Sequence, residues 1–336
     1  MKDRPLRVSR KHCCPVCRKP DWCTYLSDDT LAFCMRVESG SFMRASNGAF
    51  VHRLTKTPTP SRARTPVRPP AQRVERASVE HLDAIYSGLL RLSPLSDAHE
   101  LALRRRGFDG SEIARNRYGS TPSTVTAESI VCSLAAHDLR GVPGFFHDGQ
   151  CWRMACCAPG FLIPVRDERG RIQALSYRLD RPRGGMKYCW LSSNPETEDE
   201  RGRQKYPRGA SSGAPVHFAH GHLLEEAREV VVTEGALKAD AVAFLTGTPV
   251  VGVAGVSTFG ADFAARLRRA APQLRTAIVA FDKDLHTNPA VFAALNRLTA
   301  QLEGNGLRVR VRMWHGDAKG YDDYLLSQLR GEEVAA

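Results

Sequence analysis

Charged residues follow short apolar runs at three places in the C-terminal third of the chain. Glu234 ends the first run, and Asp282 and Asp284 follow the second. The third run leads into a segment with four more charged residues: Asp317, Lys319, Asp322 and Asp323. Converging carboxylates repel one another unless a cation lies among them, and Mg²⁺ takes such hard oxygen ligands and bridges to phosphates. The pattern predicts a divalent-cation site, with ordinary acidic turns at strand ends as the alternative interpretation.

Five of the ten cysteines lie between residues 13 and 34, which indicates metal binding before redox chemistry. Four thiolates close a tetrahedral zinc site, and a segment this small needs such a site to fold. We assign the zinc ligands to four of them: Cys14, Cys17, Cys23 and Cys34. Cys13 and His12 are alternatives for one ligand. The remaining cysteines are expected to be buried thiols, with a second metal site at Cys151, Cys156 and Cys157 as the alternative.

Basic residues exceed acidic ones, with 48 Lys and Arg against 36 Asp and Glu and a net charge of +12. This excess favours a polyanionic partner, because each phosphate that Lys or Arg neutralises releases counterions. A generally basic, solvated surface is the alternative. The sequence contains no run of about 18 apolar residues, so no transmembrane helix is predicted. The basic N-terminus is not followed by an apolar segment, so we expect a cytoplasmic protein without a membrane partner.

The composition changes along the chain and predicts four parts. These are a zinc-binding domain (1–52), a flexible basic linker (53–77), an N-terminal lobe (78–218) and a C-terminal domain (219–336). The linker is rich in Pro, Thr and Arg and has almost no apolar bulk. It cannot offset its ordering entropy by burial, so we expect it to be extended. Its arginines are predicted either to contact nucleic-acid phosphates or to keep a tether solvated.

The lobe that follows the linker must supply part of any site. Residues 79–118 carry apolar side chains at helical spacing, and Gly107 interrupts the series. Residues 161–166 and 171–179 are typical of two strands of a hairpin, since the segment between them has turn composition. The polar, glycine-rich segment 183–215 is predicted to be a long surface loop.

In the C-terminal domain, strands and helices alternate and position the acidic residues. The predicted strands are four short apolar runs: 230–233, 250–253, 276–281 and 307–314. The predicted helices lie between them: 237–245, 259–271 and 289–303. This alternation is typical of βαβ units and a mostly parallel sheet, in which ligands gather at the carboxyl ends of the strands. We therefore expect the acidic groups to converge at one edge, where Gly235 leaves room for a substrate.

The acidic residues and the segments before them resemble those of a known family. Glu-Gly after one strand and Asp-x-Asp after another are similar to the TOPRIM signature of primases, type IA and type II topoisomerases and some nucleases. The resemblance to bacterial replicative DNA primases extends upstream, through LRRRGFDGSEIARNRYGSTP, GFLIPVRDERGRIQALSYRL and MKYCWLSSNPET, and downstream to KGYDDYLL. The order of zinc segment, linker, lobe and acidic domain is similar to that of compact zinc-finger and TOPRIM primase-like proteins of plasmids, phages and integrated elements.

The resemblance implies an α/β TOPRIM catalytic domain with a Rossmann-like, mostly parallel sheet. An α+β primase-like lobe and a small zinc ribbon would precede it. The implied catalytic residues are four carboxylates: Glu234, Asp282, Asp284 and Asp322. Asp282 and Asp284 would hold Mg²⁺ or Mn²⁺. Basic residues are predicted to bind nucleic-acid or nucleotide phosphates: Arg166, Arg178, Lys187, Lys238 and Lys319.

The function that this implies is a DNA primase-like nucleotidyltransferase, which makes short primers from nucleoside triphosphates on single-stranded DNA. A replicative helicase encoded elsewhere is a further predicted partner. The sequence departs from primases at Lys238, where many have an acid, and at Lys283 within the Asp-x-Asp pair. Two alternatives therefore stay open. One is a TOPRIM nuclease that activates water with the same metals, and the other is a non-catalytic protein that binds single-stranded DNA.

Overall fold

The structure is a computed structural model, and it describes six segments of the chain: 5–45, 48–54, 74–155, 157–255, 258–283 and 289–335. The chain divides into two compact units, Met1–Pro69 and Pro70–Ala336. Most of the predicted linker lies outside the described residues, and so do Cys156 and Asp284. Among the described helices, none has the length and apolar character that crossing a membrane requires.

The first unit is built on one antiparallel sheet of five short strands in the order β1-β2-β3-β5-β4. The strands are β1 (Leu6–Arg7), β2 (Thr24–Tyr25), β3 (Leu31–Cys34), β4 (Met43–Arg44) and β5 (Phe50–Arg53). One hydrophobic cluster in this unit consists of Val8 and three cysteines, Cys14, Cys23 and Cys34. So few buried aliphatic side chains cannot stabilise a domain of this size without a cross-link such as disulfides or a bound metal.

The second unit begins with four helices: α1 (Val79–Arg91), α2 (Asp97–Arg104), α3 (Gly110–Asn116) and α4 (Thr124–Leu134). Each starts at a Ser or Asp whose side chain accepts a hydrogen bond from a backbone N–H in the first turn. Leu82, Ile85 and Leu89 recur at helical spacing on α1 and are fully buried. The helical prediction for 79–118 is therefore confirmed for most of that segment.

A four-stranded antiparallel sheet follows, in the order β11-β10-β9-β6. Its strands are β6 (Gly119–Ser120), β9 (Gly160–Arg166), β10 (Ile172–Arg183) and β11 (Met186–Trp190). A separate small hairpin is formed by β7 (Phe145–His147) and β8 (Trp152–Met154). The predicted hairpin is confirmed, but the loop prediction for 183–215 is wrong at its start. There, Tyr188 pairs with Arg178 and Trp190 with Ser176, because cross-strand pairing outweighs the local glycines.

The last third forms a five-stranded sheet in the order β12-β14-β13-β15-β16. Its strands are β12 (His217–Ala219), β13 (Glu229–Glu234), β14 (Val250–Val253), β15 (Thr276–Ala280) and β16 (Arg308–Val311). The helices are α5 (Ala236–Thr246), α6 (Phe263–Ala270), α7 (Pro289–Glu303) and α8 (Tyr321–Ala335). All strands except β12 run parallel to their neighbours, as the βαβ pattern predicted. The interiors of β13, β14 and β15 are almost entirely buried because helices pack on the sheet.

Candidate functional site

The carboxyl ends of β13, β14, β15 and β16 meet at one edge of the sheet because these strands are parallel. Glu234 is the last residue of β13 and pairs with Val253 in β14. Asp282 follows Ala280, the end of β15, by two residues. Gly235 has a φ of +86°, a conformation that glycine adopts without strain, and the chain turns there directly into α5. The sheet therefore places Glu234 and Asp282 at the same edge.

A cleft of about 410 Å³ opens at this edge, between the sheet and strands β9 to β11. Charged side chains from several elements line it: Glu234, Asp282, Asp323, Arg106, Arg178, Lys187, Lys238 and Lys319. Tyr188 and Trp190 of β11 add aromatic surface. The cleft therefore combines carboxylates, basic groups and aromatic rings, which together suit a ligand with phosphates and a base.

Lys238 lies inside the acidic group. Its Nζ donates a hydrogen bond to Oδ1 of Asp282, and Nζ of Lys319 lies 3.7 Å from Oδ2 of the same carboxylate. Burial works to lower the pKa of Lys238, but the hydrogen bond and charge of Asp282, with the charges of Asp322 and Glu234, raise it. The ammonium is therefore held in its charged form by the carboxylates around it.

Asp322 is buried behind the cleft. Its Oδ2 accepts a hydrogen bond of 3.2 Å from Arg106, while its Oδ1 has no hydrogen-bond partner among the described residues. Burial first, and then the neighbouring Asp323, raise the pKa of Asp322, although Lys238 and Arg106 act to lower it. A buried carboxylate oxygen without a partner is unusual and is a suitable ligand for a cation.

Most of the predicted site residues are brought together by the fold. Six of them line the cleft: Glu234, Asp282, Arg178, Lys187, Lys238 and Lys319. Arg166 does not line it, since its guanidinium donates to the backbone carbonyl of Asn116 at 2.7 Å. Asp284 lies outside the described residues. Asp323, one of the acidic residues expected at this edge, also lines the cleft. Arg106 lines it too but was not predicted, because it belongs to a region predicted only to be helical.

A buried polar network lies beneath the cleft and was also missed. Tyr118 donates to Oδ2 of Asp240 at 2.7 Å, and His217 contacts Oδ1 of Asp240 at 2.9 Å. The backbone N–H of Arg166 donates to Nδ1 of His217, so the proton of a neutral imidazole belongs on Nε2, facing Asp240. Burial raises the pKa of Tyr118 well above its ordinary value. The network joins the antiparallel sheet to β12 and α5, which fixes two walls of the cleft.

The four predicted zinc ligands form a separate cluster in the first unit. The sulfur atoms of Cys14, Cys17, Cys23 and Cys34 all lie within 4.8 Å of one another. The Sγ atoms of Cys17 and Cys23 are 3.7 Å apart, and those of Cys23 and Cys34 are 4.0 Å apart. Four sulfurs at the usual zinc–sulfur distance around a tetrahedron would be separated by about 3.8 Å. The donor set and its spacing therefore fit zinc.

Hydrogen-bond donors surround these sulfurs. The backbone N–H of Met35 donates to Cys23, and that of Val37 to Cys34, each at 3.4 Å. Burial acts to raise the pKa of Cys17, but hydrogen bonds from Lys19, from neighbouring thiols and from Arg36 lower it to about 7. These hydrogen bonds favour the thiolate of Cys17, the form that binds metal, whereas burial raises the pKa values of Cys14 and Cys23. Cys13 and His12 are exposed and do not belong to the cluster.

Residues 223–332 match a family model described as "Domain of unknown function (DUF3854)". Comparison with curated protein sequences gives no match. Among solved structures, the chain is similar to the zinc-binding and RNA polymerase domains of the Aquifex aeolicus primase, with a TM-score of 0.54 and 17% identity. The match covers 77% of this chain and 60% of that one.

Two further structures are similar over about the same share of the chain. The RNA polymerase domain of Mycobacterium tuberculosis primase DnaG, in complex with double-stranded DNA, has a TM-score of 0.53 and 19% identity. That match covers 76% of this chain and 80% of the other. A DnaG primase catalytic domain bound to single-stranded DNA has a TM-score of 0.50 and 19% identity, over 76% of this chain and 77% of that one.

These likenesses establish the class of fold. The chain has the fold of the catalytic core of bacterial DnaG primases, and its N-terminal unit carries a four-cysteine cluster that fits zinc. The predicted relationship to these primases is confirmed at this level. At identities below a fifth the likeness concerns the fold alone, and the chain spans about 60% of the length of the Aquifex structure. The chemistry must be argued from the site itself.

Proposed function

We propose that this protein is a primase-like nucleotidyltransferase with a TOPRIM-type acidic site, which joins nucleotides into short primers on single-stranded DNA. The observation that supports this most is the cleft at the carboxyl edge of the parallel sheet. There, Glu234 and Asp282 lie in a cleft with five cationic side chains, which come from the elements that follow the sheet strands and from the preceding lobe. Carboxylates for a metal and cations for phosphates are what phosphoryl transfer to a 3′-hydroxyl requires.

Asp282, its sequence neighbour Asp284 and Asp322 are the residues that would hold Mg²⁺ or Mn²⁺. The unpartnered Oδ1 of Asp322 and the position of Asp282 beside the cleft support this assignment. A bound divalent ion would neutralise phosphate charge and lower the cost of the developing negative charge during transfer. Glu234 lies at the end of β13, where its carboxylate would accept the proton of the attacking hydroxyl.

Cationic side chains would hold the triphosphate and the template backbone. Arg178 and Lys187 are on neighbouring strands β10 and β11, and Lys319 lies opposite them beside Asp282. The β11 side chains Tyr188 and Trp190 would stack on a base, because Tyr188 is 42% exposed and both line the cleft. These residues would orient the nucleotide and prevent other binding orientations. They would take no part in bond formation.

The first unit would bind the single-stranded template and would be held together by zinc. Trp22 is 57% exposed, and the guanidinium of Arg36 lies 5.8 Å from the centre of its ring. An exposed aromatic ring beside a cation offers a stacking surface for unpaired bases. A replicative helicase encoded elsewhere would supply the single-stranded DNA on which the protein acts.

The experiment that tests this function is primer synthesis on single-stranded circular DNA with labelled nucleoside triphosphates and Mg²⁺ or Mn²⁺. We expect short labelled oligonucleotides from the wild type. Asp282→Ala should lower their yield by about a thousandfold, since it removes a group that acts on the transferring phosphate. Asp317→Ala is the matched control, because this exposed carboxylate lies on the same edge segment but does not line the cleft.

Other outcomes of the same assay would contradict the proposal. Nicked circles without new oligonucleotides, lost in Asp282→Ala, would identify a nuclease in which water replaces the 3′-hydroxyl. Binding of the DNA with neither product would identify a non-catalytic binding protein. Primers of equal yield from wild type and Asp282→Ala would show that the chemistry lies elsewhere in the chain.

A further inference from the structure

The described residues of the acidic edge include several cationic side chains as well as carboxylates. Among the described residues that line the cleft, three carry carboxylates and five carry cationic groups. Each divalent ion brings two positive charges, so a fixed cation close to its carboxylate ligands lowers the affinity of the site for a further ion. Among the described residues that line the cleft, cations already outnumber carboxylates.

One of these cations, Lys238, lies directly against a carboxylate that would hold the metal ion. Lys238 lies in the first turn of α5, shortly after Glu234 at the end of β13, and its Nζ donates directly to Asp282. On the far side is Gly320, where an added Cβ would clash with Oδ1 of Asp322 and lie 3.3 Å from Nζ of Lys238. The ammonium thus lies among carboxylates from three different elements.

Burial distinguishes Lys238 from the other lysine at this carboxylate. The side chain of Lys238 is 22% exposed, whereas that of Lys319 is 67% exposed. An ion pair removed from water interacts more strongly than an exposed one, which is screened and mobile. Lys238 is therefore a fixed part of the acidic group, while Lys319 is free to move toward a ligand.

We propose that Lys238 takes the place of one divalent ion, so that the acidic edge of this protein binds a single Mg²⁺ or Mn²⁺. This inference rests on the proposed function, in which the same carboxylates hold the metal. The Lys238 ammonium supplies one fixed positive charge next to Asp282 and Asp322. It thereby positions both carboxylates for the single ion and lowers the affinity of the site for a second.

The test is a direct count of bound Mn²⁺ on the full-length, zinc-loaded protein. The free aqueous ion is measured by electron paramagnetic resonance as Mn²⁺ is added, and binding to Asp282→Ala is subtracted as background. We expect one ion per chain for the wild type. Lys238→Asp should bind two, because it replaces the ammonium with a carboxylate beside Glu234 and the unpartnered oxygen of Asp322.

A neutral variant separates charge from shape. Lys238→Met keeps the length of the side chain, and we expect it to bind one ion about tenfold more tightly, since a competing cation is gone. Lys319→Met is the matched control and should change the affinity less than about threefold, because that side chain is exposed. Thermal unfolding of each variant confirms that it is folded before its ions are counted.

Two results would overturn the inference: two ions on the wild type, or equal affinity in wild type and Lys238→Met. Primer synthesis by the same preparations separates this failure from failure of the proposed function. One ion without primers would retain the role of Lys238 and reject the primase assignment. Primer synthesis by a protein that binds two ions would reject the role of Lys238 and retain the primase assignment.

Discussion

The cysteine cluster of the first unit and the acidic cleft of the second are both groups of anionic ligands, but they balance charge differently. The cluster gathers four sulfurs within 4.8 Å from one short segment of chain. The cleft gathers its carboxylates from separate strands and helices and places Lys238, Lys319 and Arg106 beside them. We therefore expect the first site to need a metal for its stability, whereas the second folds around its own cations.

The largest expected effect is loss of the first unit when its cluster is broken. In Cys23→Ser, one of four ligands is lost, and the zinc contribution to folding, on the order of 10 kcal/mol in small zinc domains, should disappear with the metal. We expect less than stoichiometric zinc and loss of amide exchange protection in β3 and β5. Metal analysis and hydrogen exchange by mass spectrometry measure the two.

Cys13→Ser is the control for this change, since Cys13 is exposed and adjacent to the cluster but not part of it. It should keep one zinc and full protection. The comparison also predicts that omitting Mg²⁺ leaves the exchange of β13 and β15 unchanged. Two results would contradict this difference in metal dependence between the two sites. One is stoichiometric zinc in Cys23→Ser, and the other is unfolding of the parallel sheet when Mg²⁺ is omitted.

A smaller effect is expected from filling the space between the carboxylate and the ammonium. A Cβ in Gly320→Ala would clash with Oδ1 of Asp322 and crowd Nζ of Lys238, so one of them must move. Overpacking of this kind costs about 1–3 kcal/mol. We expect that loss in urea unfolding, together with weaker Mn²⁺ binding.

Gly331→Ala is the matched control, because it lies in the helix that follows and its added Cβ meets nothing within 4 Å. It should leave Mn²⁺ binding unchanged. If Gly320→Ala bound Mn²⁺ as tightly as the wild type and unfolded at the same urea concentration, the close arrangement of Asp322 and Lys238 would have no consequence.

Local patterns in the sequence predicted the features that depend on neighbours along the chain. The four cysteines predicted to bind zinc lie within 21 residues, and their spacing indicated them together with two alternatives, Cys13 and His12, that lie outside the cluster. The parallel sheet followed from alternating apolar runs, and its direction put Glu234 and Asp282 at one edge. Because parallel strands end at the same edge of the sheet, the order of the apolar runs was enough to predict that these two carboxylates lie together.

Features that depend on contacts between distant segments were not predictable in this way. Arg106 reaches Asp322 across 216 positions, and no periodicity in either segment indicates that partner. The same holds for the pairing of Tyr118 with Asp240. Strand β11 was not predicted because glycines flank it. Its strand conformation depends on pairing with β10 and not on its own composition. Arg166 was predicted to bind phosphates, but the structure turns its guanidinium to Asn116.

The smallest expected effect concerns the charge of Asp322 at the acidic edge. Its folded pKa is raised by burial and by Asp323, so between the ordinary and the raised value the folded protein binds more protons than the unfolded chain. Stability contributed by this group therefore falls as pH rises through that interval. A folded pKa that exceeds the unfolded pKa by one corresponds to about 1.4 kcal/mol.

Asp322→Asn removes this titration and keeps the shape of the side chain. Without added Mg²⁺ or Mn²⁺, its stability relative to the wild type should increase between about pH 4 and about pH 7, and urea unfolding at both ends measures the difference. A constant difference between Asp322→Asn and the wild type over this range would mean that Lys238 and Arg106 compensate this carboxylate fully. The acidic edge would then need no metal to balance Asp322, in contrast to the thiolates of the zinc cluster.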